Sequence, residues 1–330
     1  MITWGLVGNS HDASLAVFEN NSLVWASLAK EFSGIPNDPH LNSALITEAL
    51  LKGGFPNKLV WYEKPLLKTF RQFYAGQGWL LKENNIKNYL AERGLAHIPI
   101  KYTKHHTSHA AYAYYTQPHD ECAVICLDSI GEFETLTIWR CNRNKMTKIY
   151  SQGYPHSLGL FYSAMTQRIG LVPQRDEYLI ADWAAKGNPQ RLSHIMRKEI
   201  IHIDHTDMSI DGPNPRIVTL LKNLHRGCMW WRPDLVTQQD RYDIAAATQA
   251  IFEYAVCCLS IWTKYYSGMN HLALAGGGAL NRQAVNLIRN QWDSIWVPPN
   301  PGDPGSCIGA VLAQTQQRID NVDSAWYKKV

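Results

Sequence analysis

The chain has 330 residues, of which 45% are hydrophobic and 18% charged, and a formal net charge of +4. That usage excludes a disordered or fibrous protein, and the length suffices for one large or two medium domains. A charge this small tolerates an anionic partner without demanding one.

Apolar stretches such as Cys122–Leu127 and Leu272–Ala275 fall far short of the roughly 20 residues that a spanning helix needs. No membrane span is expected, and no basic-then-apolar leader follows Met1. The seven cysteines form no CxxC pair and read as buried, reduced thiols, which predicts a cytoplasmic protein.

In chain order, Thr3–Val7, Ser14–Phe18 and Leu23–Leu28 read as three strands joined by tight turns. Asn42–Leu51 is helical in pattern, Lys58–Trp61 strand-like, and Leu66–Phe73 helical again. A helix is predicted from His105 to Tyr115 after Ile98–Tyr102. A second meander follows at Cys122–Asp128, Thr135–Arg140 and Thr147–Gln152, echoing the first and suggesting two similar lobes. Ser157–Ile169 is helical, and 189–234, broken by Pro213, Pro215 and Pro233, reads as an insertion. Asp240–Trp262 predicts a long amphipathic helix, then His271–Ala275 a strand, Asn281–Asn290 a helix, Ile295–Val297 a strand and Ser306–Gln317 a helix. The tail Asp320–Val330 carries no signal.

Four glycine- or acid-bearing turns fall at ends of predicted strands, where open sheets place ligands: Gly8–Asp12, Asp128–Glu132, Gly276–Gly278 and Pro301–Gly305. Together they suggest a phosphate and metal cleft between lobes. The sharpest local signal is Lys104-His105-His106-Thr107-Ser108-His109. His105 and His109 are four apart, so on a helix they share one face and can share a metal. Asp128 and Asp303, on other turns, are the best further ligands. The strand-Gly276-Gly277-Gly278-helix pattern offers backbone donors to phosphate but matches neither the Walker loop nor the dinucleotide fingerprint.

The ordered motifs resemble the N-terminal, catalytic region of the nodulation and antibiotic O-carbamoyltransferases, related to the threonylcarbamoyladenosine synthases. They run from Gly8…His11-Asp12-Ala13-Ser14 through His105–Ala111, Leu127–Glu132, Tyr154–Ser163, Glu177-Tyr178 and Asp243–Gln249 to Ala275–Asn281 and Pro301–Gly305. The resemblance implies a duplicated ribonuclease H-like, actin/sugar-kinase-like α/β fold with an interlobe cleft. Its lobes would be residues 1–118 and 119–330, the second with an insertion around 189–234. It further implies His105, His109, Asp128 and Asp303 as ligands of a divalent metal, iron first, with magnesium, manganese or zinc as alternatives. Asp128 and Gly131 would lie near metal and phosphate. Gly276, Gly277, Gly278, Asn281 and Gly305 would contact the nucleotide, and His11, Asp12, His156 and Glu177 would line the transfer chemistry. The implied reaction makes a carbamoyl-adenylate from carbamoyl phosphate and ATP. An acceptor hydroxyl attacks its carbonyl, giving an O-carbamate and AMP, with His11 or His156 taking the proton.

Three departures bear on substrate. Family members continue for some 200 further residues into a donor-making domain, so here a separate adenylate-forming protein or a shortened route is expected. The basic stretch after the third strand is Lys30-Glu31-Phe32-Ser33-Gly34, and the stretch from Glu177 is Glu177-Tyr178-Leu179-Ile180-Ala181-Asp182-Trp183-Ala184, without the family's lysine and glycine. Trp230-Trp231 with Arg197, Lys198, Arg226 and Arg232 suggests a planar, anionic acceptor, such as a hydroxymethylpyrimidine in DNA or a nucleotide. Compact members resemble virus-encoded enzymes of that kind, which would act in host cytoplasm. Competing readings are threonylcarbamoyl transfer to tRNA, transfer to a sugar or antibiotic, and a non-catalytic partner subunit. Oligomeric state is not legible.

Overall fold

The computed structural model describes residues 1–204 and 216–327. Its strands are β1 Ile2–Val7, β2 Ser14–Glu19, β3 Ser22–Leu28, β4 Lys58–Trp61, β5 Ile100–Tyr102, β6 Glu121–Gly131, β7 Glu134–Asn142, β8 Lys145–Gly153, β9 Ile201–Ile203, β10 Val218–Leu220, β11 His271–Ala275 and β12 Ser294–Trp296. The helices are α1 Lys30–Ser33, α2 Ser43–Gly53, α3 Pro65–Tyr74, α4 Ile86–Ala91, α5 His105–Tyr115, α6 Leu158–Arg168, α7 Tyr178–Ala184, α8 Pro189–Glu199, α9 Gln238–Ser267, α10 Arg282–Leu287, α11 Ser306–Thr315 and α12 Val322–Ala325.

Two five-stranded sheets carry the duplication. The first runs β3-β2-β1-β4-β5 and the second β8-β7-β6-β11-β12. In each, the first three strands of the repeat form an antiparallel meander and the last two add in parallel. This is the actin/sugar-kinase-like fold. The parallel strands aim their C-terminal ends, and hence the turns that follow, the same way, as ligand-binding open sheets do.

Between the sheets lie two helices. α11 packs on β1, α5 packs on β6 and β11, and the two helices cross each other closely. A Cβ at Gly309 would sit 1.9 Å from the Ser108 carbonyl oxygen. Only glycine permits that approach. Every residue of α5 except Thr107 is buried, which is why its sequence shows little amphipathic contrast. Local signals set the ends of other elements. Asn42 accepts from the Leu45 N–H at the start of α2, Thr237 and Asp240 form a capping box on α9, and left-handed Gly268 (φ 64°) ends it.

Several expectations change. The long helix continues to Ser267, five residues beyond Trp262, and the helix expected over 281–290 stops at Leu287, where a 3₁₀ turn takes over. By length and composition α9 could cross a membrane, yet 67% of its most apolar window is buried inside the protein, so it serves as a core helix. The tail is informative after all. Trp326 bridges Ala26 and its indole N–H donates to the Tyr112 hydroxyl at 2.9 Å. The chain end after Asp303 therefore packs with the first sheet, whereas a division at residue 118 assigns it to the second lobe. The insertion holds α8, β9 and β10; its prolines at 213 and 215 lie outside the described residues. All seven cysteines are free thiols, with Cys257 and Cys258 only half-buried.

Candidate active site

Four turns converge, as the strand topology requires. α5 starts directly after β5, so His105 and His109 stand one turn apart on a helix wedged between the sheets. Asp128 projects from β6 and Asp303 from the 3₁₀ turn before α11. The two imidazole Nε2 atoms are 3.0 Å apart. His105 Nε2 lies 3.1 Å from Asp128 Oδ2 and 3.3 Å from Asp303 Oδ1. His109 Nε2 lies 3.3 Å from Asp303 Oδ1 and 3.9 Å from Asp128 Oδ2. Among the described residues these four form the group able to hold a metal ion.

The residues fit a cation. Two Nε2 lone pairs cannot face each other at 3.0 Å without a proton or cation between them. Donors each about 2.1 Å from a shared ion lie no more than about 4.2 Å apart, which every separation above respects. Two imidazoles with two carboxylates suit iron, manganese or zinc rather than an all-oxygen calcium site. The electrostatics agree. Burial alone would lower the pKa of His105, but the Asp303 and Asp128 carboxylates overcome it and hold it well above the usual range. Burial likewise opposes ionisation of Asp128 and Asp303, yet His105 and its neighbours keep both below the ordinary carboxylate range.

Other groups frame the cluster. His11 Nε2 is 3.5 Å from Asp303 Oδ2, and its Nδ1 is 3.1 Å from Asp12 Oδ2. Burial pulls its pKa down, but Asp303 and Asp12 prevail and push it up to about 9. Gly131 is flat against the His105 ring, since a Cβ there would meet it at 2.2 Å. The Gly276 N–H donates to the Pro301 carbonyl at 2.8 Å, joining the glycine turn to the Asp303 turn. The Gly277 N–H points at Asp128 Oδ1 from 3.5 Å, Gly278 packs on the Leu127 side chain, and Gly305 lies against the Tyr112 ring. Asn281 sits further along, where its side chain caps α10 and exchanges hydrogen bonds with Gln249, itself held by Tyr162.

His156 and Glu177 lie outside this group: among the described residues no hydrogen bond or ion pair joins either to the four ligands. His156 Nδ1 accepts from the Leu220 N–H at 3.1 Å; burial and Arg216 lower its pKa, favouring the neutral ring. The neighbouring Ser157 hydroxyl donates to the Asp128 and Ser129 carbonyls, so His156 is one residue removed from the site. Glu177 accepts from the Ser163 hydroxyl at 3.0 Å and from the Gln174 N–H.

Three residues enter that sequence reasoning did not single out. Ser306 Oγ lies 3.3 Å from His109 Nδ1, as an outer partner that orients a ligating imidazole. Its position immediately after Gly305 was the available signal. The Tyr62 ring packs at 5.3 Å from that of His105. Glu132, buried and left-handed (φ 54°), accepts from the Lys64 N–H at 2.5 Å and faces the His105 N–H, while Arg71 donates to its carbonyl. It ties α3 to the start of the ligand-bearing helix.

The aromatic and basic cluster read from sequence comes apart. Trp231 is buried, with its indole N–H on Glu199; Arg232 pairs with the same carboxylate, and Arg197 stacks on Tyr254. Trp230 and Arg226 remain at the surface.

Comparison with known proteins agrees with the geometry. A protein of Synechocystis sp., sll1178, is 29% identical over 96% of this chain and 57% of its own length. Nodulation protein NolO of Bradyrhizobium diazoefficiens is 26% identical over 63% of this chain and 37% of its own. The chain thus spans about half the length, or less, of these relatives. HypF of T. kodakarensis superposes with a TM-score of 0.51 at 11% identity, covering 99% of this chain and 48% of that one, which is a likeness of fold. Residues 5–312 match the family model for the carbamoyltransferase N-terminus, and the chain belongs to that family.

Proposed function

We propose that the chain catalyses metal-dependent transfer of a carbamoyl group to an acceptor hydroxyl. The carrying observation is the junction of His105, His109, Asp128 and Asp303 with a non-ligand histidine, His11, whose Nε2 stands beside Asp303. A divalent cation, iron for preference, would be held by those four side chains and would polarise an oxygen of the donor. With a cation held at Asp303 and Asp128 offsetting the carboxylates that raise its pKa, His11 Nε2 would be the proton-exchanging atom toward the acceptor, with Asp12 on Nδ1 fixing the tautomer and ring orientation. The backbone N–H groups of Gly277 and Gly278 and the Gln249–Asn281 pair frame the nucleotide part of a carbamoyl-adenylate, formed from carbamoyl phosphate and ATP by this chain or a separate protein. The acceptor oxygen bonds to the carbonyl carbon, the bond to the phosphate oxygen breaks, AMP leaves, and the hydroxyl proton goes to His11.

For the acceptor we favour a hydroxymethylpyrimidine, in DNA or as a nucleotide, over threonylcarbamoyl transfer to tRNA or transfer to a sugar. Exposed rings and unpaired cations beside the site support that preference. The test supplies carbamoyl phosphate, ATP and ferrous iron with hydroxymethylated DNA, free nucleotide, tRNA and small sugars, with and without a donor-activating protein. Mass spectrometry should find one added carbamoyl group on the modified base. No added mass on any acceptor, in either setting, would end the transferase reading.

A further inference from the structure

Two exposed segments, distant in sequence and from opposite lobes, meet beside the metal ligands. One is the C-terminal end of α3 with the turn after it and carries Tyr74, 70% exposed; the other follows β10 and carries Lys222, His225, Arg226 and Trp230, the last 47% exposed. Tyr74 meets the Tyr154 ring edge-on at 6.2 Å, and Tyr154 meets His225 edge-on at 5.7 Å. Across the same seam Gln77 Nε2 lies 2.9 Å from His225 Nε2, and Arg226 donates to the Gly76 carbonyl at 3.4 Å. Lys222 Nζ sits 4.5 Å above the Trp230 ring.

The position matters as much as the composition. The Tyr154 N–H donates to the Phe133 carbonyl at 2.8 Å. Phe133 is itself partly exposed at the tip of the β6–β7 hairpin, two residues from Gly131, which lies on the His105 ring. The aromatic face therefore continues from the hairpin that walls the ligand cluster. Neither Lys222 nor Arg226 has an ion-pair partner among the described residues, whereas Arg232 and Arg191 nearby in sequence or on α8 are paired. Rings left in water beside uncompensated cations complement a planar group that carries negative charge.

We propose that this face, centred on Tyr74, Tyr154, His225, Arg226, Lys222 and Trp230, recognises a phosphate-bearing aromatic base, in a single strand or as a free nucleotide. As an acceptor subsite it rests on the hydroxyl-transfer reading above; as a binding surface it stands without it. The rings stack on the base, and the cations take the phosphates.

The test is fluorescence anisotropy of the full chain with a labelled single-stranded oligonucleotide, without any carbamoyl donor. Unlabelled mononucleotide and unlabelled strand serve as competitors. Tyr74→Ala and Trp230→Ala should each weaken binding roughly tenfold, and the phenylalanine variants should restore most of it. Arg226→Glu should also flatten the salt dependence. Competition by mononucleotide alone supports the free nucleotide as ligand, and competition confined to the strand supports the polymer. Absence of binding by the unaltered protein, or alanine variants that bind as it does while melting normally, would overturn the proposal. Carbamoyl transfer is assayed separately, so a protein that binds but transfers nothing would defeat the transferase reading and leave this face standing.

Discussion

Gly309→Ala puts the relation between helix crossing and metal site to a quantitative test. The added Cβ would lie 1.9 Å from the Ser108 carbonyl oxygen and 2.8 Å from the Tyr112 Cβ. Restoring an ordinary contact of about 3.5 Å requires α5 and α11 to part by roughly 1.6 Å. His109 rides on α5 and Asp303 immediately precedes α11, with 3.3 Å between their ligand atoms. A full displacement along that line opens the gap to about 4.9 Å, beyond the roughly 4.2 Å that two donors on one ion can span. Overpacking of this kind costs about 1–3 kcal/mol. In a chain of this size that is a fall in Tm of a few degrees, near 2–4 °C per kcal/mol. Gly309→Ala should thus melt earlier and lose metal, measured by calorimetry and elemental analysis on the same sample, and Gly309→Val should be worse. A Gly309→Ala protein with unchanged Tm and full metal content would refute the reasoning.

Three other outcomes are expected. His109→Ala should lower divalent-metal affinity more than about 100-fold, exceeding the 10–100-fold typical of outer-shell partners, as read by metal titration; retention of the ion would remove His109 from the ligand set. Glu132→Ala leaves the Lys64 N–H without its acceptor, costing about 1–3 kcal/mol, and should weaken metal binding through α5; Glu132→Gln, which keeps an acceptor oxygen, should recover much of both. Away from the site, His119 stacks on His271 with ring centroids 3.5 Å apart, and both share Ser294. Burial, then His271 and Arg318, lower the His119 pKa, so the folded state binds fewer protons than the unfolded one just below pH 6.5. Stability should therefore fall as pH drops from about 7 through the depressed pKa. His119→Gln should shrink that acid-induced loss of Tm, and an unchanged pH profile would dismiss the pair as its source.

The sequence by itself determined the parts whose rules are local. Helical spacing placed His105 and His109 on one face, alternation and turns marked both meanders, and strand-end glycines marked the loops of the cleft. Ordered motifs then fixed the family and its fold, because they sample the whole chain rather than one element. What escaped were relations between distant residues. Trp231 and Trp230 are neighbours with opposite fates, since the chain reverses there and Glu199, 32 residues away, draws one indole inward. Tyr74 and His225 become one surface only when the lobes close side by side. The polar tail proved structural because Trp326 finds Tyr112 across the interior. Glu132 carries no sequence mark of its task, which depends on a left-handed backbone and on two N–H groups supplied by other elements. The four-ligand cluster joins both kinds of information. Residue type and spacing nominated its members, but the 3.3 Å that separates Asp303 from each histidine depends on Gly309, which allows α5 and α11 to touch.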